Sequence, residues 1–162
     1  MKDENAPQPA DAQAGLEQEL LEVRARLSEL QMLFDEAPEA IFVLQGGDVK
    51  LHNKKTREVL GYEEEELKGL PFYHHIHPDD REMVLERYIK RQTGKGFPYP
   101  YRIRILKKNG DQVEGSLSAA RIEWRGEPAV LCVVRDHTRQ AKAEALWRPF
   151  PSKGPGSSLP PL

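Results

Sequence analysis

Three of the five histidines fall in one stretch, His74-His75-Ile76-His77, directly ahead of Pro78-Asp79-Asp80. Imidazoles beside carboxylates can ligate a metal or act as general bases. His74 and His77 stand three apart, a spacing that helical metal ligands use. No HExxH pair and no cysteine ligand pair accompanies them. The same residues also read as a helix start, with proline in the first turn and two carboxylates near the positive end of the dipole. That reading accounts for Pro78-Asp79-Asp80, so no metal site is expected. A small metal-dependent enzyme built on His74 and His77 stays as a remote alternative.

Other chemistry-bearing groups read more plainly. Asp136-His137-Thr138 holds an acid, a base and a hydroxyl, but neighbours on an extended strand point to opposite faces and cannot converge as a triad. Glu63 to Glu66 is expected to be a solvated helix face. Cys132, the single cysteine, sits in an apolar strand as a core thiol and can form no internal disulfide. No glycine-rich phosphate loop and no GxSxG elbow is present. No catalytic residue is expected.

Stepping along the chain locates the elements that hold these groups. A length of 162 residues with a net charge of −2 suggests one domain plus appendages, with no field suited to nucleic acid or an anionic membrane. No apolar run could span a bilayer or act as a signal peptide, so a cytoplasmic protein is expected. Residues 1–15 read as disordered. Over 16–36, Leu16, Leu20, Val23, Leu27, Leu30 and Phe34 recur at alternating spacings of four and three, the seam of a dimerising coiled coil. The alternative is a helix that packs this stripe on its own domain.

Pro38 ends that helix. Ala40–Leu44 and Asp48–Asn53 read as strands joined at Gly46-Gly47, followed by short helices over Lys54–Leu60 and Glu63–Lys68. The helix opened by Pro78 carries the stripe Val84, Leu85, Tyr88 and Ile89 and ends near Gly94 and Gly96. Three longer strands follow, around Tyr99–Ile105, Val113–Ala119 and Ala129–Val134, with a hairpin at Asn109-Gly110. Arg102 and Arg104 fall on the wet face and are expected to be free for a partner. Residues 141–162 read as a short helix leaving the domain and a proline-rich tail with no further domain. The fold class is α+β.

Ala40–Leu44, Val49–Asn53, Leu60-Gly61-Tyr62, His77-Pro78-Asp79-Asp80-Arg81-Glu82, the Asn109-Gly110 hairpin and Val133–Thr138 follow one another in an order that resembles a PAS (Per-Arnt-Sim) domain. That resemblance implies a five-stranded antiparallel sheet with helices on one face, here preceded by the coiled-coil helix. It places the domain at 37–140. It also implies a sensory or protein-interaction module in bacterial signal transduction. A small ligand would sit between sheet and helices, and the signal would pass through dimer helices to a partner such as a histidine kinase or another effector. A ligand-free dimerisation scaffold is the second reading.

On the resemblance, Asn53 matches the asparagine that closes the second strand. Alternation and helix stripe add Ile41, Val43, Leu51, Tyr62, Phe72, His75, Leu85, Tyr88, Tyr101, Ile103, Leu117 and Leu131 as expected ligand-binding residues. Oxygen-sensing relatives carry a haem histidine at a position that falls at or near Leu85, and no histidine occurs between Pro78 and Asp136. Covalent haem needs two cysteines. Flavin photosensors carry a reactive cysteine where Gly69-Leu70-Pro71-Phe72-Tyr73 stands here. Neither cofactor is expected, which leaves a small organic ligand or an empty pocket.

Overall fold

The structure is a computed structural model that describes residues 9–95 and 100–146. Its first element, α1 (Pro9–Asp35), begins earlier than the expected start at Leu16. Ala10, Ala12, Gln13 and Ala14 are strong helix formers behind a proline at the first position, and Asp11 suits the N-terminal end of the dipole. Lack of an apolar anchor, the basis for reading 9–15 as disordered, does not decide the matter. The entire helix has no buried residue.

Five strands follow in the pattern the sequence suggested: β1 (Ala40–Gln45), β2 (Asp48–His52), β3 (Tyr101–Leu106), β4 (Gln112–Trp124) and β5 (Glu127–Asp136). They form one sheet in the order β2-β1-β5-β4-β3, antiparallel throughout. β4 and β5 run longer than alternation indicated because Arg125 (φ 53°) and Gly126 (φ 82°) make a two-residue turn between them. Two consecutive positive φ angles match the twist of a tight hairpin.

Between β2 and β3 lie α2 (Lys54–Leu60), α3 (Glu64–Leu67), a 3₁₀ turn (Phe72–His75) and α4 (Pro78–Gln92). They cover one sheet face, and the buried core sits between the two layers. α4 starts as expected: Pro78 follows the cap residue His77, whose Nδ1 accepts from the Asp79 amide at 3.3 Å. α5 (Thr138–Leu146) leaves the end of β5, where Asp136 accepts from the Thr138 amide at 2.7 Å. Asp136 thus fixes the exit turn. Expectations for Gly96, Tyr99 and the tail beyond residue 146 lie outside the described residues. Among the described residues no helix is long and apolar enough to cross a membrane.

Candidate functional site

The covered sheet face encloses a cavity. Its floor is Ala40, Phe42 and Leu44 of β1, Val130, Cys132 and Val134 of β5, and Leu117 and Ala119 of β4. β3 supplies Tyr101, Ile103 and Ile105. Its roof is Thr56, Val59 and Leu60 of α2, Leu67 of α3, Phe72 and His75 of the 3₁₀ turn, and Val84, Tyr88 and Arg91 of α4. The volume is about 60 Å³, well above the roughly 10–15 Å³ that a cavity needs to hold one water. Pockets for drug-sized ligands measure about 300–1,000 Å³, so as it stands the cavity admits only very small molecules.

Six expected residues line it: Phe72, His75, Tyr88, Tyr101, Ile103 and Leu117. Ile41, Val43, Leu51 and Leu131 do not. They are brought together, since Val43 pairs with both Leu51 and Leu131 across the strands. Their common face is the outer one, because strand side chains alternate and Phe42 and Leu44 take the inner positions. Ala40–Leu44 is apolar at every position, so its pattern carries no parity. Leu85 packs against the edge of the core, while Val84, Tyr88 and Arg91 of the same helix reach the cavity. Of the lining residues the stripe missed, Arg91 had a legible position, three after Tyr88, but its charge pointed to solvent.

Asn53 is also outside the cavity. It is fully buried, and its amide is used up by the backbone around it. Oδ1 accepts from the Ile41 and Thr56 amides at 3.0 and 3.1 Å and from the Thr56 hydroxyl at 2.9 Å. Nδ2 donates to the carbonyls of Phe34 and Glu39 at 3.1 and 2.9 Å. Asn53 caps α2 and ties it to the end of α1 and the start of β1. Tyr62 stands behind the cavity, its ring edge-on to His75 with centroids 4.9 Å apart.

The cavity is mostly carbon, and its polar groups are correspondingly perturbed. Burial, with a smaller push from His74, lowers the His75 pKa to about 4, so its ring is neutral at physiological pH. Neither ring nitrogen of His75 has a hydrogen-bond partner. Burial drives the Cys132 thiol up to about 12, which makes it a poor nucleophile. It also raises the Tyr101 hydroxyl, an effect that nearby Arg91 opposes. The Tyr88 hydroxyl accepts from the Gly47 amide at 3.1 Å and from the Gln92 side chain at 2.7 Å. That contact closes the β1–β2 turn over one end of the cavity.

The remaining histidines have separate duties. His74 is exposed and touches His75 only ring to ring, while His77 is the cap of α4. Among the described residues no three His, Cys, Asp or Glu side chains are grouped to hold a metal. Arg104 is not a free sheet charge either. Its backbone amide and Nε bond Asp80 Oδ2 at 2.9 and 3.1 Å, and Nη2 bonds Asp80 Oδ1 at 2.5 Å. The pair ties the start of α4 to the edge strand, leaving Arg102 as the exposed arginine of β3.

Residues 50–134, more than half of the chain, match the family described as PAS fold. A curated relative, the aryl hydrocarbon receptor nuclear translocator homolog of Drosophila melanogaster, is 30% identical over 110 residues. The match covers 66% of this chain and 16% of that protein, so the chain spans about a sixth of its relative's length. A solved PAS domain from Colwellia psychrerythraea is 25% identical, with a TM-score of 0.61 over 70% of this chain and 98% of that one. A domain of a sensory box sensor histidine kinase/response regulator from Geobacter sulfurreducens is 21% identical. Its TM-score is 0.57 over 70% of this chain and 96% of that one, a likeness of fold.

Proposed function

The chain belongs to the PAS fold family, and on that footing we propose that it is a sensory module of signal transduction whose α1 helices pair in a homodimer. The state of its cavity is passed through that helix pair to a partner protein, such as a histidine kinase or another effector. The observation that carries this reading is the nakedness of α1. Leu16, Leu20, Val23, Leu27 and Leu30 are between 48% and 67% exposed, although they stand at heptad spacing. The alternative, a helix that lays its stripe on its own domain, finds no support in a helix without a buried residue.

Magnitudes set the strength of the pair. Covering the exposed half of each seam residue is worth on the order of 1 kcal/mol, hence on the order of 10 kcal/mol for both helices. Association itself costs about 4–15 kcal/mol. The seam alone therefore supports a modest, concentration-dependent dimer. Signals reach it through Asn53, which bonds the end of α1, the first strand and the helix roofing the cavity.

Sedimentation of the full chain against a Leu20→Lys/Leu27→Lys variant tests the reading. A dimer that weakens at least tenfold in the variant is expected, because each lysine would bury a charge without a partner. Identical sedimentation of the two would refute it. The small cavity also favours a second reading, in which no ligand binds and dimerisation is the whole output. Mass spectrometry of denatured purified protein separates the two, since a retained small molecule supports the sensor.

A further inference from the structure

Arg91 is the one arginine among the described residues that is fully inside the fold, at 4% exposure, and it lines the cavity near the C-terminal end of α4. No carboxylate pairs with it among the described residues. Its neighbours are the Tyr101 hydroxyl and the Cys132 thiol, both held protonated by burial. Nor does the segment 96–99, Gly-Phe-Pro-Tyr, carry an acid. A guanidinium cannot shed its proton in a protein, and an unpaired charge in an apolar site is strongly unfavourable. Tyr101 gathers a second cation, because the Arg87 guanidinium lies 4.0 Å above its ring. Arg91 itself is a buried positive charge that no carboxylate among the described residues offsets, and that charge calls for an anion.

The rest of the cavity narrows the anion's chemistry. The rest of the lining is largely apolar and includes Val84, Ile103 and Leu117. The other polar pole, His75, lies toward the opposite end of β3, since Ile76 bridges Ile105 while Arg91 neighbours Tyr101. Four residues of strand separate those points by about 13 Å. A ligand small enough for the cavity cannot reach both poles.

We infer that the cavity takes a short-chain monocarboxylate, its carboxylate forked onto Arg91 beside the Tyr101 hydroxyl and its alkyl chain lying between Val84, Ile103 and Leu117. The inference rests on the proposed reading of the cavity as the sensory site and names the ligand class for it. Arginine suits the role because its planar donors match a carboxylate two-to-two.

Isothermal titration of the full chain with sodium butyrate, 1-butanol and inorganic phosphate tests it, alongside the variants Arg91→Met and Arg91→Lys. Butyrate should bind the wild type. Arg91→Met should lose about tenfold or more in affinity, and Arg91→Lys should fall between, because it keeps the charge without the fork. In the absence of ligand, Arg91→Met should melt at the same temperature as the wild type or higher, since removing an unpaired buried charge relieves the fold. A lower melting point would mean that the charge already has a partner, and would overturn the inference. Butanol binding as well as butyrate, or butyrate binding that survives Arg91→Met, would overturn it while leaving a ligand-binding cavity in place. Phosphate equal to butyrate would overturn it too, because the apolar walls would then contribute nothing. If none of the three binds, the ligand class is overturned, while the sensory role of the cavity is decided separately by the mass spectrometry of retained ligand.

Discussion

The side chain of Asn53 donates to the carbonyl of Phe34 at 3.1 Å, joining the last turn of α1 to the cap of α2. With the bond from the Lys54 amide to Asp35 Oδ1 at 3.0 Å, it links a helix with no buried residue of its own to the layer that roofs the cavity. Replacing Asn53 with alanine leaves the Ile41 and Thr56 amides and two carbonyls without their side-chain partner. Buried orphans of this kind cost about 1–3 kcal/mol each before relaxation. A loss of about 2–4 kcal/mol in urea unfolding is expected, and a loss below about 1 kcal/mol would rule out this role. Asn53→Asp should be at least as damaging, because it sets a charge against the carbonyls of Phe34 and Glu39.

His75 gives the fold an acid-sensitive window. Its folded pKa of about 4 lies below the ordinary 6.5 because burial disfavours the charged ring. Between those values the unfolded chain binds a proton that the folded chain refuses, so stability falls as pH drops from about 6.5 toward 4. The loss is on the order of 3 kcal/mol over the whole window. Unfolding curves taken across pH 4–7 should flatten in His75→Leu. An unchanged slope would place the titration elsewhere.

Asp80 acts lower on the scale. The hydrogen bonds from Arg104 hold its carboxyl below the usual 3.8, against a smaller opposing effect of burial. The stabilisation from this pair is fully present above the unfolded value and fades as pH falls through the depressed folded one. Asp80→Asn should therefore be less stable than the wild type at neutral pH and approach it as the pH falls below the depressed folded value. Arg104→Glu should unfold more easily at neutral pH than Arg102→Glu, because only Arg104 anchors α4 to β3. Equal denaturation midpoints for the two glutamate variants would contradict the assignment.

Gly115 sits where β4 passes close to its neighbour. A Cβ there would stand 2.9 Å from the Arg135 carbonyl oxygen and 3.3 Å from a Val134 methyl. Backbone cannot yield as a side-chain end would, so Gly115→Ala should destabilise by about 1–3 kcal/mol. A thermal melt within a degree of the wild type would show that the strands have room to part.

Local chemistry alone made much of this protein legible. Pro38 and Pro78 marked a helix stop and a helix start, Asn109-Gly110 marked a hairpin, and alternation over Tyr101–Ile105 and Val113–Ala119 placed inner and outer residues correctly. These signals depend on a residue and its near neighbours, through φ restriction, capping and a two-residue period. Alternation could not say which face of Ala40–Leu44 looks inward, since both faces are apolar. Pairing with β5 and the layer of helices above decided that, and put Ile41, Val43, Leu51 and Leu131 on the sheet face away from the cavity, where Val43 is still buried. The apolar stripe of α4 left Arg91 out, and charge read from sequence put Arg104 in water. Tertiary structure buried the first in the cavity wall and locked the second to Asp80, because an arginine's setting depends on what distant segments bring beside it. The role of Asn53 has the same origin: its type and place at the strand's end were visible, but its partners lie on three elements that meet only when the chain has folded.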